Sequence, residues 1–128
     1  MRITIVLTLA ALAASPFAVV PAASAGGGDR VITRGQCSGA STWKLKLKHE
    51  DGRIEAEFEV DQNRVGRRWG VVLRRNGAVA LRTTRVTRAP SGSFEVRRLV
   101  RNSAGRDRVV AVARARATGE VCRGAAAL

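Results

Sequence analysis

The chain lacks many of the residues from which functional sites are usually built. It has no tyrosine, one histidine, two cysteines and one methionine in 128 residues. Without tyrosine, and with aromatics at 4%, the core has to rest on Val, Leu, Ile and Ala. One histidine, His49, excludes any histidine cluster. It lies beside Asp51, but no Ser or Cys nucleophile has the spacing of a recognisable motif. A triad needs a base oriented by a third group, so His49 reads as a turn residue and no catalytic residue is assigned. Cys37 and Cys122 lie too far apart, with too few other donors, to make a recognisable zinc site, and neither a metal nor a cofactor is expected. Helical periodicity is missing from the whole chain after the N-terminal region. Acidic residues are also scarce: 10 Asp plus Glu stand against 23 Lys plus Arg, for a net charge of +13.

What is present begins with an export signal. Arg2 supplies a positive start, residues 3–14 are an apolar run broken by Ser15-Pro16, and Ala23-Ser24-Ala25 is a small-x-small cleavage site. Residues 1–25 therefore read as a signal peptide, helical until it is removed. The competing reading is an uncleaved anchor, because residues 3–20 nearly reach spanning length. Pro16, the threonines and the cleavage site argue against that anchor, so no stable membrane span is expected after cleavage. Residues 26–30, opening with three glycines, read as a flexible leader, residues 31–124 as one domain, and 125–128 as a tail. In an exported protein an even pair of cysteines is normally a disulfide, here joining Cys37 to Cys122 and so the first strand to the last.

The domain reads as strands throughout. Around Asp51-Gly52, two runs alternate: Trp43, Leu45 and Leu47 against Lys44, Lys46 and Lys48, then Ile54, Ala56, Phe58 and Val60 against Glu55, Glu57 and Glu59. A period of two over this length is a half-buried strand. Asp-Gly favours a two-residue type I′ turn, which pairs Glu50 with Arg53. Lys48, Lys46 and Lys44 then face Glu55, Glu57 and Glu59, while Leu47, Leu45 and Trp43 face Ala56, Phe58 and Val60. Both faces are complementary in that single register. The glutamates, each opposite a lysine, read as register and solubility devices rather than acid/base or calcium ligands.

Further along, residues 67–74 form a strand with Trp69, Val71 and Leu73 inward, and Arg75-Asn76-Gly77 reads as a three-residue hairpin loop. That loop would set Leu73 against Val79 and Val71 against Leu81. Residues 94–100 form a strand in which Leu99 breaks the alternation, implying a bulge near Arg97-Arg98. Residues 107–117 are a strand with Arg114 and Arg116 out and Ala113 and Ala115 in. Residues 120–123 form a short last strand. About seven or eight short strands with turn signals every 8–12 residues predict an all-β antiparallel sandwich. The segment from Phe94 through Gly105 and Asp107 to Cys122 resembles the last three strands of an immunoglobulin-like sandwich, without that family's corner tyrosine.

The stretch 37–48 with Cys37 and Trp43, the segments 51–55 and 60–63, the segment 91–97 with Phe94, and the closing 118–123 with Cys122 together resemble a family of small secreted proteins from high-GC Gram-positive bacteria. The resemblance covers most of the exported chain. It implies export and a single domain, and it carries no activity or site residues.

Charge is the feature that bears most on function. Residues 26–61 carry six basic and seven acidic groups, net −1, whereas residues 62–128 carry 16 basic and three acidic, net +13. Arg74, Arg82, Arg97, Arg114 and Arg116 are read as outward on separate strands. If those strands are neighbours they form an arginine face suited to phosphate, which guanidinium binds bidentately. With Trp43 and Trp69 inward there is no platform for stacking bases, so sequence-specific nucleic-acid recognition is not expected. Anionic envelope polymers such as teichoic acids, or acidic polysaccharide, fit better. Coding bias is the competing account: a GC-rich genome favours Arg, Ala, Gly and Val codons, and 20 of the 23 basic residues are arginine. The sequence thus points to a secreted, non-enzymatic binding or structural module. The alternative is a secreted inhibitor or small hydrolase, with the loops 61–66 and 89–93 able to present a specificity residue.

Overall fold

The computed structural model describes residues 29–128. The expected signal peptide and the three leader glycines lie outside the described residues. Eight strands follow: β1 (Arg30–Gln36), β2 (Thr42–Glu50), β3 (Arg53–Asp61), β4 (Arg68–Arg75), β5 (Ala78–Val86), β6 (Ser93–Arg101), β7 (Arg108–Ala115) and β8 (Val121–Ala127). They form two antiparallel sheets, ordered β1-β2-β3-β6 and β5-β4-β7-β8. Strands β2, β3 and β6 take the A, B and E places of an immunoglobulin-type sandwich, and β5, β4, β7 and β8 take C′, C, F and G. Strand β1 is an addition outside β2. The expected all-β sandwich is present, with one strand more than that seven-strand frame.

The β2–β3 hairpin forms in the register that its turn chemistry dictates. Asp51 and Gly52 have φ of 47° and 76°, as a type I′ turn requires. Every pair from Glu50↔Arg53 to Trp43↔Val60 matches expectation. Leu45, Leu47, Ile54, Ala56, Phe58 and Val60 are wholly buried. His49 sits in β2 opposite Ile54 rather than in the turn.

Four expectations are corrected. The β4–β5 connection is a two-residue turn, with Asn76 (φ 47°) and Gly77 (φ 84°) both left-handed and Arg75 paired to Ala78. Asn-Gly satisfies the type I′ requirement by itself. A register shift between Leu73 and Arg74 then sets Leu73 against Leu81 and Val71 against Thr83, leaving Val79 half exposed opposite Arg74. In β6 there is no bulge at Arg97-Arg98; the register against β3 is unbroken. Leu99 points outward and Arg98 takes the inner side at the open edge of the sheet, where an inward-pointing charge discourages edge-to-edge pairing. The third correction is at the C-terminus: residues 125–127 belong to β8, and Leu128 exchanges backbone hydrogen bonds with Asp107. The fourth is that Arg30 is already in β1.

Trp43 closes the β1/β8 side of the sandwich. It stands 6.4 Å from Phe58, centroid to centroid, and lies between glycines on both sheets. A Cβ on Gly35 would come within 2.6 Å of its ring, and one on Gly124 within 2.8 Å. Both positions are glycine because the indole occupies the space. Trp43 is half-buried, so Trp43→Ala should cost about 3 kcal/mol, the low end for a core aromatic. Urea denaturation checks this, and an unchanged midpoint would mean that the ring bridges nothing.

Candidate functional site

The imbalance between the two halves of the sequence becomes an imbalance between the two sheets. Residues up to 61 supply three of the four strands of the first sheet, and residues beyond 67 supply all of the second. On the outer face of the first sheet, columns of opposite sign lie side by side. Lys44 meets Glu59 at 4.0 Å, Lys46 pairs with Glu57, and Lys48 turns to Glu50 on its own strand at 3.2 Å rather than to Glu55. Arg97, on β6, reaches Glu57 at 2.5 Å, Glu95 at 3.3 Å and Glu55 at 4.0 Å. Burial pushes the Glu57 carboxyl up, but Lys46 and Arg97 together outweigh it and hold its pKa below the usual carboxylate range. The same contacts, Glu57 first and then Glu55, push the Arg97 guanidinium up. The lysines, the glutamates and Arg97 thus offset one another, while Arg30, Arg34, Arg53 and Arg101, exposed on the same face, have no carboxylate within 4.0 Å among the described residues.

The outer face of the second sheet is different. Cross-strand pairing places Arg68 beside Arg116, Gly70 between Thr84 and Arg114, Val72 between Arg82 and Val112, and Arg74 between Val79 and Val110. Arg108 on β7 and Arg123 on β8 extend the same side. All seven of these arginines are exposed. Among the described residues, none of them has a carboxylate within 4.0 Å. Only three acidic residues follow residue 61, and each is engaged elsewhere. Glu95 meets Arg97, Asp107 is buried against Arg75 at 2.7 Å, and Glu120 accepts hydrogen bonds from the Ser41 hydroxyl (2.8 Å) and N–H (3.0 Å).

The face is not flat. A depression of about 680 Å³ opens over Gly70, with Val72 and Val112 in its floor and Arg82, Arg114, Arg116 and Thr84 at its rim. The half-buried valines are framed by arginine stems, which cover apolar surface while their guanidinium groups stay in water.

Four of the five arginines expected to act together, Arg74, Arg82, Arg114 and Arg116, do share this face. Arg97 does not. Its strand pairs with β3, so it lies on the opposite side of the sandwich and is committed to carboxylates. Arg68, Arg108 and Arg123 were missed. Arg68 shares strand parity with Arg74, and Arg108 with Arg114, so alternation alone assigns those two outward. Cys37 and Cys122 form the expected disulfide, tying the end of β1 to β8 rather than the B and F positions usual in antibody domains. No group of three or more His, Cys, Asp or Glu side chains among the described residues is placed to hold a metal ion. Compared with models of known protein families, with curated proteins and with solved structures, the chain gives no match.

Proposed function

We propose that the protein is an exported, non-enzymatic module that associates with anionic polymers of the cell envelope or extracellular space through the outer face of β5-β4-β7-β8. One observation carries this reading: seven exposed arginines share that face without a carboxylate, while on the opposite face glutamates interleave the lysines and Arg97. Uncompensated guanidinium groups spread over strands spaced about 4.8 Å apart suit successive phosphates, sulfates or carboxylates. The carboxylates interleaved on the second face make it the weaker attachment side. The sequence signal at residues 1–25 and the resemblance to small secreted proteins support export, and the Cys37–Cys122 disulfide is in keeping with an oxidising compartment. None of the indole rings faces outward from the arginine sheet, which favours charge recognition over base stacking.

The test is a salt titration of binding to teichoic acid and heparin. Displacement of counterions from six or so sites should weaken binding about a thousandfold between ~50 and ~200 mM salt. Replacing Arg74, Arg82, Arg114 and Arg116 with Ser should flatten the slope of log affinity against log salt by roughly three. Replacing Lys44, Lys46 and Lys48, or Arg97 alone, should leave the slope nearly unchanged, because glutamates already hold those charges. Equal losses from the lysine and arginine variants would reduce the basicity to diffuse net charge, with coding bias as its origin.

A further inference from the structure

Gly70 is a glycine with no reason inside the fold. It lies mid-strand in β4, a central strand paired on both sides. Glycine there weakens a sheet and normally marks a bulge, a strained backbone or a close approach by something else. The register shift of β4 lies between Leu73 and Arg74, not at Gly70. Its φ is outside the left-handed region, and a Cβ built on it would meet no atom within 4 Å. Gly35 and Gly124, by contrast, are both pressed against Trp43. The space directly above Gly70 is filled by no atom of the chain within 4 Å of a Cβ, and Gly70 lines the depression together with Arg82, Arg114 and Arg116.

We infer that this notch is a ligand seat for the uncharged unit, a sugar ring or polyol, of a polymer whose anionic groups alternate with neutral ones. The inference rests on the reading of the arginine face given above and narrows its ligand class. Arg82 lies on one side of the notch, on β5, and Arg114, on β7, and Arg116, just past the end of β7, lie on the other. Two β4 neighbours therefore present charge across a gap whose floor is backbone and valine methyls. A phosphodiester polymer of glycerol or sugar units can put a phosphate on each rim and its polyol on the floor. Polyphosphate has no neutral unit to place there. A nucleotide unit would bring a base, and the rim offers no aromatic ring to stack on it.

Gly70→Val tests this cleanly, because it fills the notch and changes no charge. The valine meets open space, and β-branched residues suit strands, so the variant should melt at or above the wild-type temperature. Its affinity for poly(glycerol phosphate) should fall by about tenfold, the loss of one well-fitted contact, while its affinity for polyphosphate should stay within about twofold. In the wild type, poly(glycerol phosphate) should shift the amide resonances of Gly70, Val72 and Val112, and polyphosphate should leave them in place. Unchanged affinity of Gly70→Val for poly(glycerol phosphate), or equal losses for both polymers, overturns the seat and leaves the arginine face standing. Loss of all salt-dependent binding by wild-type protein would overturn both. If Gly70→Val folds poorly, the wild-type amide shifts decide alone, and their absence at Gly70 overturns the seat.

Discussion

Replacing both cysteines with alanine should lower the melting temperature by about 20–30 °C while leaving the β-sheet circular dichroism at low temperature unchanged. Cys37 and Cys122 are separated by 85 residues, so the bond closes a loop that holds nearly the whole domain. In the chain-entropy treatment a loop of that length contributes about 4–5 kcal/mol by restricting the unfolded ensemble. For a domain of this size each kcal/mol corresponds to roughly 4–8 °C. Alanine is the right substitution, because Cys122 is fully buried and a serine would add an unpaired hydroxyl. The folded state keeps its pairings, since β1 still pairs with β2 along its whole length and β8 with β7. A double variant melting within a few degrees of wild type would show that the unfolded chain is already restrained by other means.

The second large effect is expected at Asp107, in the turn between β6 and β7. Its side chain is completely buried. One carboxylate oxygen accepts from Arg75 (2.7 Å), from the Ser103 hydroxyl (2.8 Å) and from the Asn76 amide (3.1 Å), and the other accepts the Ser103 N–H at 2.8 Å. Asn76 in turn accepts the N–H of Arg108 at 2.8 Å, so this one carboxylate ties the β6–β7 turn to the β4–β5 turn. Burial pushes the Asp107 carboxyl up, but Ser103 and Arg75 outweigh it, and its pKa lies below the 3.8 of a free aspartate. Asp107→Asn puts an amide where four donors converge and leaves Arg75 without its partner. Removing one member of a buried pair costs several kcal/mol. About 3 is expected here, since Arg75 is partly exposed and its Nε has no acceptor among the described residues. The pH dependence has a definite sign. A depressed folded pKa gives stability that is present above the unfolded value and lost as pH falls through the folded one. The gap between wild type and Asp107→Asn should be full at neutral pH and should narrow as pH falls below the 3.8 of a free aspartate. A gap that stayed constant down to pH 2 would assign the loss to packing rather than to the charge.

How much of this was legible in the sequence depended on whether a local signal was sufficient. In the β2–β3 hairpin, Asp51-Gly52 fixes the starting pair and both faces of the strands agree with it, so a single register satisfies everything. Asn76-Gly77 carries an equally strong turn signal, but a three-residue loop also keeps apolar residues aligned. The choice was made by tertiary packing, which buries Leu73 against Leu81 across an irregularity and lets Val79 face water. Alternation read Arg97 correctly as outward, and strand parity could not say outward on which sheet. The resemblance of its strand to the E strand of an immunoglobulin-like sandwich held the answer, because E pairs with B, and B here is β3. The pairing of the glutamates with the lysines was legible in outline, whereas Arg97 as a shared counter-charge needed the strand order. Gly70 could be placed on the outer face by parity, but its openness depends on β5 and β7 flanking β4, which only the assembled sheet reveals.

The disulfide between the end of β1 and β8 also sets how the molecule carries load. Tension on the two ends of the described chain passes along β1 to Cys37, across the sulfur bridge to Cys122 and out along β8. The residues between the two cysteines form a covalently closed loop that bears none of that tension. Stretching can peel away β1 and the outer part of β8, but β2 to β7 cannot be drawn out while the bridge is intact. Both the arginine-bearing strands β4, β5 and β7 and the notch over Gly70 lie inside that shielded loop, so a pulled, oxidised molecule retains the main part of its basic surface, and a reduced one can lose it.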